Sequence, residues 1–297
     1  MAKLLEGKIV ADKIKEKLKA SVQSLKQVPV LASILVGDDP SAVAYVESQS
    51  KIATSLGITY KLYQLAKSIS EDELIDFVLK LNADVSVNGI IVQIPLPQDV
   101  DYMKVCEFIL PNKDVEGMHP TNIGKLLFGP TPLEVAPRAA RLPTGRVRIV
   151  ACTANAVMEL LNSTGVDLYG KEVVVIGHSE IVGKPLAMLL LEKFATVTIC
   201  HIATSKAGKL KEHVQRAQVL IVAVGQAGLI KGAWIKKGAI VVDVGINRLN
   251  DKIVGDVEFA TAFKRAAYIT PVPGGVGPLT VAILMRNLVE AARAQQQ

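Results

Sequence analysis

Val173-Val174-Val175-Ile176-Gly177-His178-Ser179-Glu180-Ile181-Val182-Gly183-Lys184-Pro185 is the stretch on which the reading of this chain turns. Four β-branched residues in succession suit a strand buried on both faces of a parallel sheet. A glycine ends the run, and Leu186, Leu189, Leu190 and Leu191 follow at helical spacing. Strand, glycine turn and helix open a dinucleotide-binding unit, in which amides at the helix start hold a diphosphate. The spacing is Gly-x-Ser-x-x-x-Gly rather than Gly-x-Gly-x-x-Gly. The strict fingerprint is therefore absent, and an ordinary strand-to-helix turn fits the same residues.

The same alternation extends to both sides. Downstream, strands are expected at 196–200, 218–223 and 239–243, with helices over 181–193 and 207–216. Upstream, helices are expected over 8–26, from Ala42 to Leu56 and over 70–82, with strands at 28–36, 59–65 and 88–94. A further helix is expected over 155–162, and a long one from Leu279 to Arg293 with Val281, Leu284, Leu288 and Ala291 on one face. Strands alternating with helices predict α/β architecture throughout. Between Pro130 and Arg148 the periodicity dissolves into prolines and four arginines, Arg138, Arg141, Arg146 and Arg148. An irregular connection of that length is functional or mobile. Its arginines are candidates for contact with an anionic tail of a substrate or with a partner subunit, against a plain solvated loop.

With 297 residues, the chain fits one large or two medium domains, since single cores seldom grow past about 250 residues. Half the residues are hydrophobic but only 4% are aromatic, so the core is aliphatic, as in parallel sheets covered by helices. The net charge of +6 comes largely from lysines along amphipathic patterns, with no basic block interleaved with aromatics; this argues against nucleic acid as a partner. Cys106, Cys152 and Cys200 are odd in number and lack metal-ligand spacing. They read as reduced thiols of a cytoplasmic protein, and no metal is assigned. The N-terminus has no apolar core of a signal peptide, and no run approaches the ~18 apolar residues of a membrane span.

Four stretches together resemble the methylenetetrahydrofolate dehydrogenase/cyclohydrolase family. They are the turn at 173–185, Val92-Gln93-Ile94-Pro95-Leu96-Pro97, Val242-Asp243-Val244-Gly245-Ile246-Asn247, and Ile269-Thr270-Pro271-Val272-Pro273-Gly274-Gly275-Val276-Gly277-Pro278-Leu279-Thr280. The likeness runs from about residue 4 to about residue 293. It implies a folate-binding catalytic domain over 1–150, completed by a C-terminal helix over 279–297. It also implies a Rossmann-type NAD(P)-binding domain over 151–278, with the active-site cleft between the two. The implied activity is oxidation of 5,10-methylenetetrahydrofolate with NADP or NAD, then hydrolysis to 10-formyltetrahydrofolate. Such enzymes serve one-carbon metabolism and purine biosynthesis, typically as homodimers.

The resemblance also assigns residues. Tyr45 matches a tyrosine that stacks on the pterin, and Gln49, one helical turn on, stands where the family has its catalytic lysine. Residues four apart share a helix face, whereas Lys51 points about 200° away from Gln49. On the residues alone Tyr45 is a half-buried helix tyrosine and Gln49 a surface amide. Gln93 closes a parallel strand, where α/β sheets place ligands, and its family counterpart approaches the reacting carbon. Glu116 replaces an aspartate that grips the pterin's amino and ring nitrogens, while Pro273, Gly274 and Gly275 are expected against the substrate. Gly177, His178, Ser179, Gly183, Ile202 and Ile246 are expected at the cofactor. His178 and Ile202 stand where NADP-using members carry arginine and serine, so neither cofactor is well specified. The family's Pro-Cys-Thr-Pro reads Ala151-Cys152-Thr153-Ala154 here, which relaxes the backbone at the domain junction. An amide cannot exchange a proton near neutrality, so Gln49 threatens hydrolysis more than hydride transfer. The departures at Gln49, Glu116, His178 and Ile202 keep a second reading open, a catalytically impaired binding or regulatory homologue. A shikimate- or amino-acid-type dehydrogenase is disfavoured by the Pro-Gly-Gly-Val-Gly-Pro run.

Overall fold

A computed structural model describes residues 1–127, 148–250 and 252–296 of the chain. Arg138, Arg141 and Arg146 of the basic connection lie outside the described residues. In chain order the first elements are β1 (Lys3–Leu4), α1 (Gly7–Gln23), β2 (Val30–Val36), α2 (Pro40–Leu56) and β3 (Thr59–Leu65). Next come α3 (Glu71–Ala83), β4 (Gly89–Val92), α4 (Tyr102–Glu107) and α5 (Pro120–Leu127). After the undescribed stretch follow α6 (Cys152–Ser163), β5 (Glu172–Ile176), α7 (Gly183–Leu191), β6 (Thr196–Cys200), α8 (Ile202–Lys206), α9 (Leu210–Arg216) and β7 (Val219–Val222). The chain closes with β8 (Ile240–Asp243), β9 (Asn247–Leu249), β10 (Lys252–Val254), α10 (Phe259–Ala262), β11 (Tyr268–Ile269) and α11 (Val276–Gln295).

The chain divides into two compact units, one of Met1–Asp12 with Thr153–Thr280, the other of Lys13–Cys152 with Val281–Gln297. The first twelve residues thus leave the N-terminal domain expected over 1–150. The cause is pairing: β1 lies parallel to β11, with Lys3 opposite Tyr268 and Leu4 opposite Ile269. A two-residue strand carries no periodicity, so nothing in its sequence announces this partner.

In the second unit three parallel strands run in the order β3-β2-β4, so Ser33 in the middle strand lies opposite Leu62 on one side and Ile91 on the other. β2 and β4 are buried along nearly their whole length, as their apolar runs, broken in β2 only by Ser33, require. The helix that carries Tyr45 and Gln49 is held at both ends. The Asp39 carboxylate accepts from the amides of Ser41 and Ala42, Pro40 occupies the first turn, and the chain turns off at Gly57. α3 begins with a reciprocal Ser70–Glu73 capping box.

The first unit is a six-stranded, wholly parallel sheet in the order β1-β11-β8-β7-β5-β6. β5, which carries the Val-Val-Val-Ile run, lies one strand in from the β6 edge of the sheet. From it the chain steps outward to β6, then returns to β7 on the other side. This reversal is the point at which doubly wound sheets bind ligands, beyond the carboxyl ends of the strands. The helix expected over 207–216 is α9, which starts three residues later, after Gly208 at φ of +71°, and the short α8 before it was not expected. α11 begins at Val276, three residues before the expected start, because Pro278 is tolerated in a first helical turn, where its missing N–H has no intrahelical acceptor.

Gly177 sits where the chain leaves β5, with φ of +118°, and a Cβ there would stand 2.2 Å from the carbonyl oxygen of Ala223 at the end of β7. Both the conformation and the contact exclude a side chain. Gly177→Ala is therefore expected to lower the unfolding free energy by more than about 2 kcal/mol in urea titration. A variant as stable as the parent would show that the turn can open without cost.

Candidate active site

Gln49 is not a surface amide. It is fully buried, and its side chain and that of Gln93 exchange hydrogen bonds: Gln93 Nε2 donates to Gln49 Oε1 at 2.9 Å and Gln49 Nε2 to Gln93 Oε1 at 3.3 Å. Tyr60 donates its hydroxyl to Gln49 Oε1 at 2.9 Å, and Gln93 Nε2 also donates to Ser33 Oγ at 2.9 Å. Ser33 is in turn hydrogen-bonded to Tyr60, which closes a ring of four side chains from α2, β2, β3 and the end of β4. Tyr45, half-buried one helical turn before Gln49, hydrogen-bonds the same amide. Gln49 Oε1 accepts twice and Gln93 Nε2 donates twice, so the two amides and two hydroxyls answer one another without any charged group.

None of these groups exchanges a proton near neutrality. Burial pushes the Tyr60 phenol up to about 12, with Ser33 pulling slightly the other way. Burial also raises Tyr45 well above the usual phenol, and the carboxyl of Glu116 adds to the effect. Lys51 offers no substitute: it faces outward and pairs with Glu47 at 3.8 Å.

The segment bearing Glu116 is shaped by its neighbour Asp114. The Asp114 carboxylate accepts from the amides of Gly117 (2.9 Å), Met118 (3.1 Å) and His119 (2.8 Å) and from Asn122 Nδ2 (2.9 Å). Gly117 has φ of +80°, and a Cβ would meet the amide nitrogen of Ala151 at 2.6 Å, so this close pass needs glycine. Asn287 of α11 donates to the carbonyls of Val115 and Val150, both at 2.9 Å, and fixes the flanks. Glu116 itself is treated differently. Its carboxyl is hydrogen-bonded by the Cys152 thiol, while its Oε2 is buried with no hydrogen-bond partner among the described residues. Burial first, and then the charge of Asp114, push this carboxyl up to about 8. A buried oxygen without a partner fits the expected task of receiving a donor from a ligand.

The other unit holds a cavity of about 440 Å³ beyond the ends of β5, β6 and β7. Gly177, His178, Ser179 and Ile202 line it, with His201, Ser205, Val224, Gln226 and Leu229 among their neighbours. Gly183 does not line the cavity; it packs behind the turn, where a Cβ would stand 2.1 Å from the carbonyl oxygen of Gly177. Ile246, Pro273, Gly274 and Gly275 line a smaller cavity of about 150 Å³ in the same unit. Asp243 at its wall accepts from the amides of Gly245 (3.0 Å), Asp256 (3.1 Å) and Val257 (2.9 Å), yet burial still raises its carboxyl to about 6. The larger cavity fits the adenosine half of a dinucleotide. Ile202, Val224 and Leu229 supply apolar walls, His178, Ser179, Ser205 and Gln226 supply polar contacts, and a bare glycine lets the main chain approach.

Comparison with known proteins agrees with this geometry. The model of the tetrahydrofolate dehydrogenase/cyclohydrolase catalytic domain matches residues 5–116, and that of its NAD(P)-binding domain matches residues 151–296. The bifunctional protein FolD of Acetivibrio thermocellus is 48% identical over 99% of this chain and 98% of its own length. The crystal structure of the Campylobacter jejuni bifunctional enzyme FolD, a methylenetetrahydrofolate dehydrogenase/cyclohydrolase, is 44% identical with a TM-score of 0.89, covering 99% of both chains. The Trypanosoma brucei enzyme, solved with NADP and an inhibitor, is 37% identical with a TM-score of 0.88, covering 98% of this chain and 97% of its own. The chain belongs to the tetrahydrofolate dehydrogenase/cyclohydrolase family. The unit built on β5 is accordingly the family's NAD(P)-binding domain.

Sequence reasoning missed Ser33 and Tyr60 in this family site. Ser33 had a signal, a polar residue inside the apolar run of β2, the same anomaly that singled out Gln93. Tyr60 had none, since a tyrosine is ordinary in a strand.

The raised carboxyl of Glu116 makes a stability prediction. Against an ordinary value of 4.5, a folded-state value of about 8 means that the folded protein holds a proton which the unfolded chain has lost in between. The group's contribution to stability is full below the lower value and disappears as pH rises through the upper one. Glu116→Gln is therefore expected to match the parent near about pH 5 and to exceed it near about pH 9, by about 1–3 kcal/mol in urea titration. A difference that does not grow with pH would refute the buried, unanswered charge.

Proposed function

We propose that the chain oxidises 5,10-methylenetetrahydrofolate to the 5,10-methenyl cation with a nicotinamide dinucleotide, and hydrolyses that cation to 10-formyltetrahydrofolate as the slower step. The observation that carries this reading is the buried Gln49, bonded to Gln93, Tyr60 and Tyr45 where the family has its lysine. A bound nicotinamide would supply the hydride acceptor. The substrate's own nitrogen lone pair drives that transfer, so the protein must orient the folate rather than move a proton. Tyr45 would stack on the pterin, and Gln93, hydrogen-bonded by Ser33 and Gln49, would present its amide from a held position. The partnerless oxygen of Glu116 is available to the amino and ring nitrogens of the pterin. Pro273, Gly274 and Gly275 would meet the substrate beside Ile246. Gly177, His178, Ser179 and Ile202 would hold the cofactor, with Gly183 backing the turn.

Hydrolysis is a different demand, since water must lose a proton and the leaving nitrogen must gain one. An amide positions water but carries no proton between them. The slower step follows from that. The relatives are named as bifunctional enzymes, which supports turnover over a binding or regulatory homologue.

The reading extends to assembly and setting. A homodimer through the dinucleotide-binding unit is supported by β6, which forms an edge of the sheet, and by the exposed Tyr169, Leu191, Phe194 and Ile199 on the elements around it. A cytoplasmic location is supported by three buried, unpaired cysteines, and no described helix is long and apolar enough to cross a membrane. The formyl product would feed formyl transfer, purine biosynthesis included.

Two measurements bear on the reading. A lysine in place of Gln49 would find acceptors already arranged in Tyr45, Tyr60 and Gln93. Gln49→Lys is expected to raise hydrolysis of the methenyl compound by about 10²-fold or more and oxidation of the methylene compound much less. A folded, folate-binding lysine variant with no gain in hydrolysis would overturn the role given to Gln49. On the cofactor side, no arginine or lysine among the described residues lines the larger cavity, so NADP is expected to bind no more than modestly better than NAD. His178→Arg with Ile202→Ser should tighten NADP about tenfold per restored contact and leave NAD unchanged. A parent strongly selective for NADP at neutral pH would contradict this.

A further inference from the structure

Ser33 and Tyr60 face the same way from neighbouring strands. In β2, Ala32, Ile34 and Val36 pack into one apolar cluster, and Tyr63 of β3 packs against it. Alternation along a strand turns Ser33 and Tyr60 to the opposite face, where they meet Gln93 and Gln49. Ser33 is fully buried, and a hydroxyl in a buried strand is costly unless it is bonded. The bonds it makes are with Gln93 and Tyr60. An apolar residue would fill the same place in β2 without that requirement, so the hydroxyl calls for a reason beyond packing.

The reason lies in what the two amides leave over. Gln49 and Gln93 exchange one hydrogen bond in each direction. Each amide then keeps one N–H and one carbonyl lone pair to be answered elsewhere. Ser33 Oγ accepts the second N–H of Gln93, the Tyr60 hydroxyl donates to the second lone pair of Gln49, and the two hydroxyls bond each other. Gln49 is also bonded by Tyr45, and one position of Gln93 stays uncommitted among the described residues. A hydroxyl serves as donor or acceptor, so this frame holds the pair with either end of its amides outward. Gln93 stands just past the end of β4 and Gln49 on α2, whereas Ser33 and Tyr60 belong to paired strands. Two sheet positions thus fix a loop side chain and a helix side chain to each other.

We propose that Ser33 and Tyr60 are positioning residues for the oxidation: their hydroxyls hold the Gln49–Gln93 pair in the geometry that hydride transfer needs, acting through the two amides rather than on the substrate. This rests on the proposed oxidation of 5,10-methylenetetrahydrofolate. That step demands orientation and no proton from the protein, and displacing an aligned group by about 1 Å costs about 10²-fold. Removing either hydroxyl leaves one amide atom without its partner and opens the ring. The pair then loses its single seat, while the hydrogen bonds between the strands are untouched.

The test combines turnover and binding measurements on the full-length parent, Ser33→Ala, Tyr60→Phe, the double variant and Tyr63→Phe. Tyr63→Phe is the control, since it removes a phenol from the same strand on the other face, beside Phe77. Ser33→Ala and Tyr60→Phe are each expected to lower kcat for the oxidation about tenfold or more. The dissociation constants of 5,10-methylenetetrahydrofolate, NADP and NAD should stay within about twofold of the parent. The double variant should lose no more than the worse single one, because each change opens the same ring. Tyr63→Phe should leave kcat unchanged. Should Ser33→Ala fail to fold, Tyr60→Phe on the edge strand β3 carries the same comparison. Weaker binding at unchanged kcat, losses that multiply in the double variant, or an equal loss in Tyr63→Phe would overturn the proposal and assign the hydroxyls to core stability. A parent that binds the folate but oxidises it with neither cofactor would overturn the proposed oxidation itself, and this proposal with it.

Discussion

Three buried carboxylates hold the loops on which the rest of the molecule depends. Asp114 gathers the amides of Gly117, Met118 and His119. Asp243 gathers those of Gly245, Asp256 and Val257, and Asp256 gathers those of Val224 and Gly225 together with Asn247 Nδ2. Loop amides buried without an acceptor would each cost about 1–3 kcal/mol, and an ionised acceptor answers several at once. Each cage also shapes a stretch next to a candidate site. The Asp114 cage turns the chain at Glu116, the Asp243 cage lies beside Ile246, and the Asp256 cage fixes the exit of β7 at the dinucleotide cavity.

Glu116 is the counterpoint. Two residues from a carboxylate that is fully answered, it has one oxygen with a thiol and one with no hydrogen-bond partner among the described residues. Natural proteins tolerate such local deficits mainly where a ligand removes them. The amide ring around Gln49 and Gln93 shows the opposite economy: it is satisfied internally and charged nowhere. One carboxyl oxygen is thus left open to a donor, while four side chains elsewhere in the same unit answer one another.

Much of this was legible in the residues. The β-branched run 173–176 announced a buried parallel strand, and Gln93 declared itself as a polar residue in an apolar run. The helix spacing from Tyr45 put Gln49 on the same face and Lys51 elsewhere, as the Lys51–Glu47 pair now bears out. What stayed hidden depended on partners far apart in the chain. The union of β1 with β11 involves four residues and no pattern. The burial of Gln49 depends on Tyr60 and Ser33, which only strand register brings together. The gathering of His178 and His201 depends on β6 lying beside β5, a fact of topology rather than of composition.

The uncharged ring around Gln49 has a reason in the proposed chemistry. Oxidation turns a neutral one-carbon bridge into a cation. A lysine beside that carbon can relay protons, but while charged it opposes the formation of a second positive charge nearby, at a cost that grows as water is excluded. Glutamine removes both effects together. The ring of amides and hydroxyls then presents dipoles to the developing cation, and these need little reorganisation because each is already held by its neighbours. A site built this way favours the step that makes the cation and disfavours the step that consumes it by proton transfer. On the proposed reading, the asymmetry between the two reactions would follow from one buried amide and would not require any loss of the fold or of the cofactor turn.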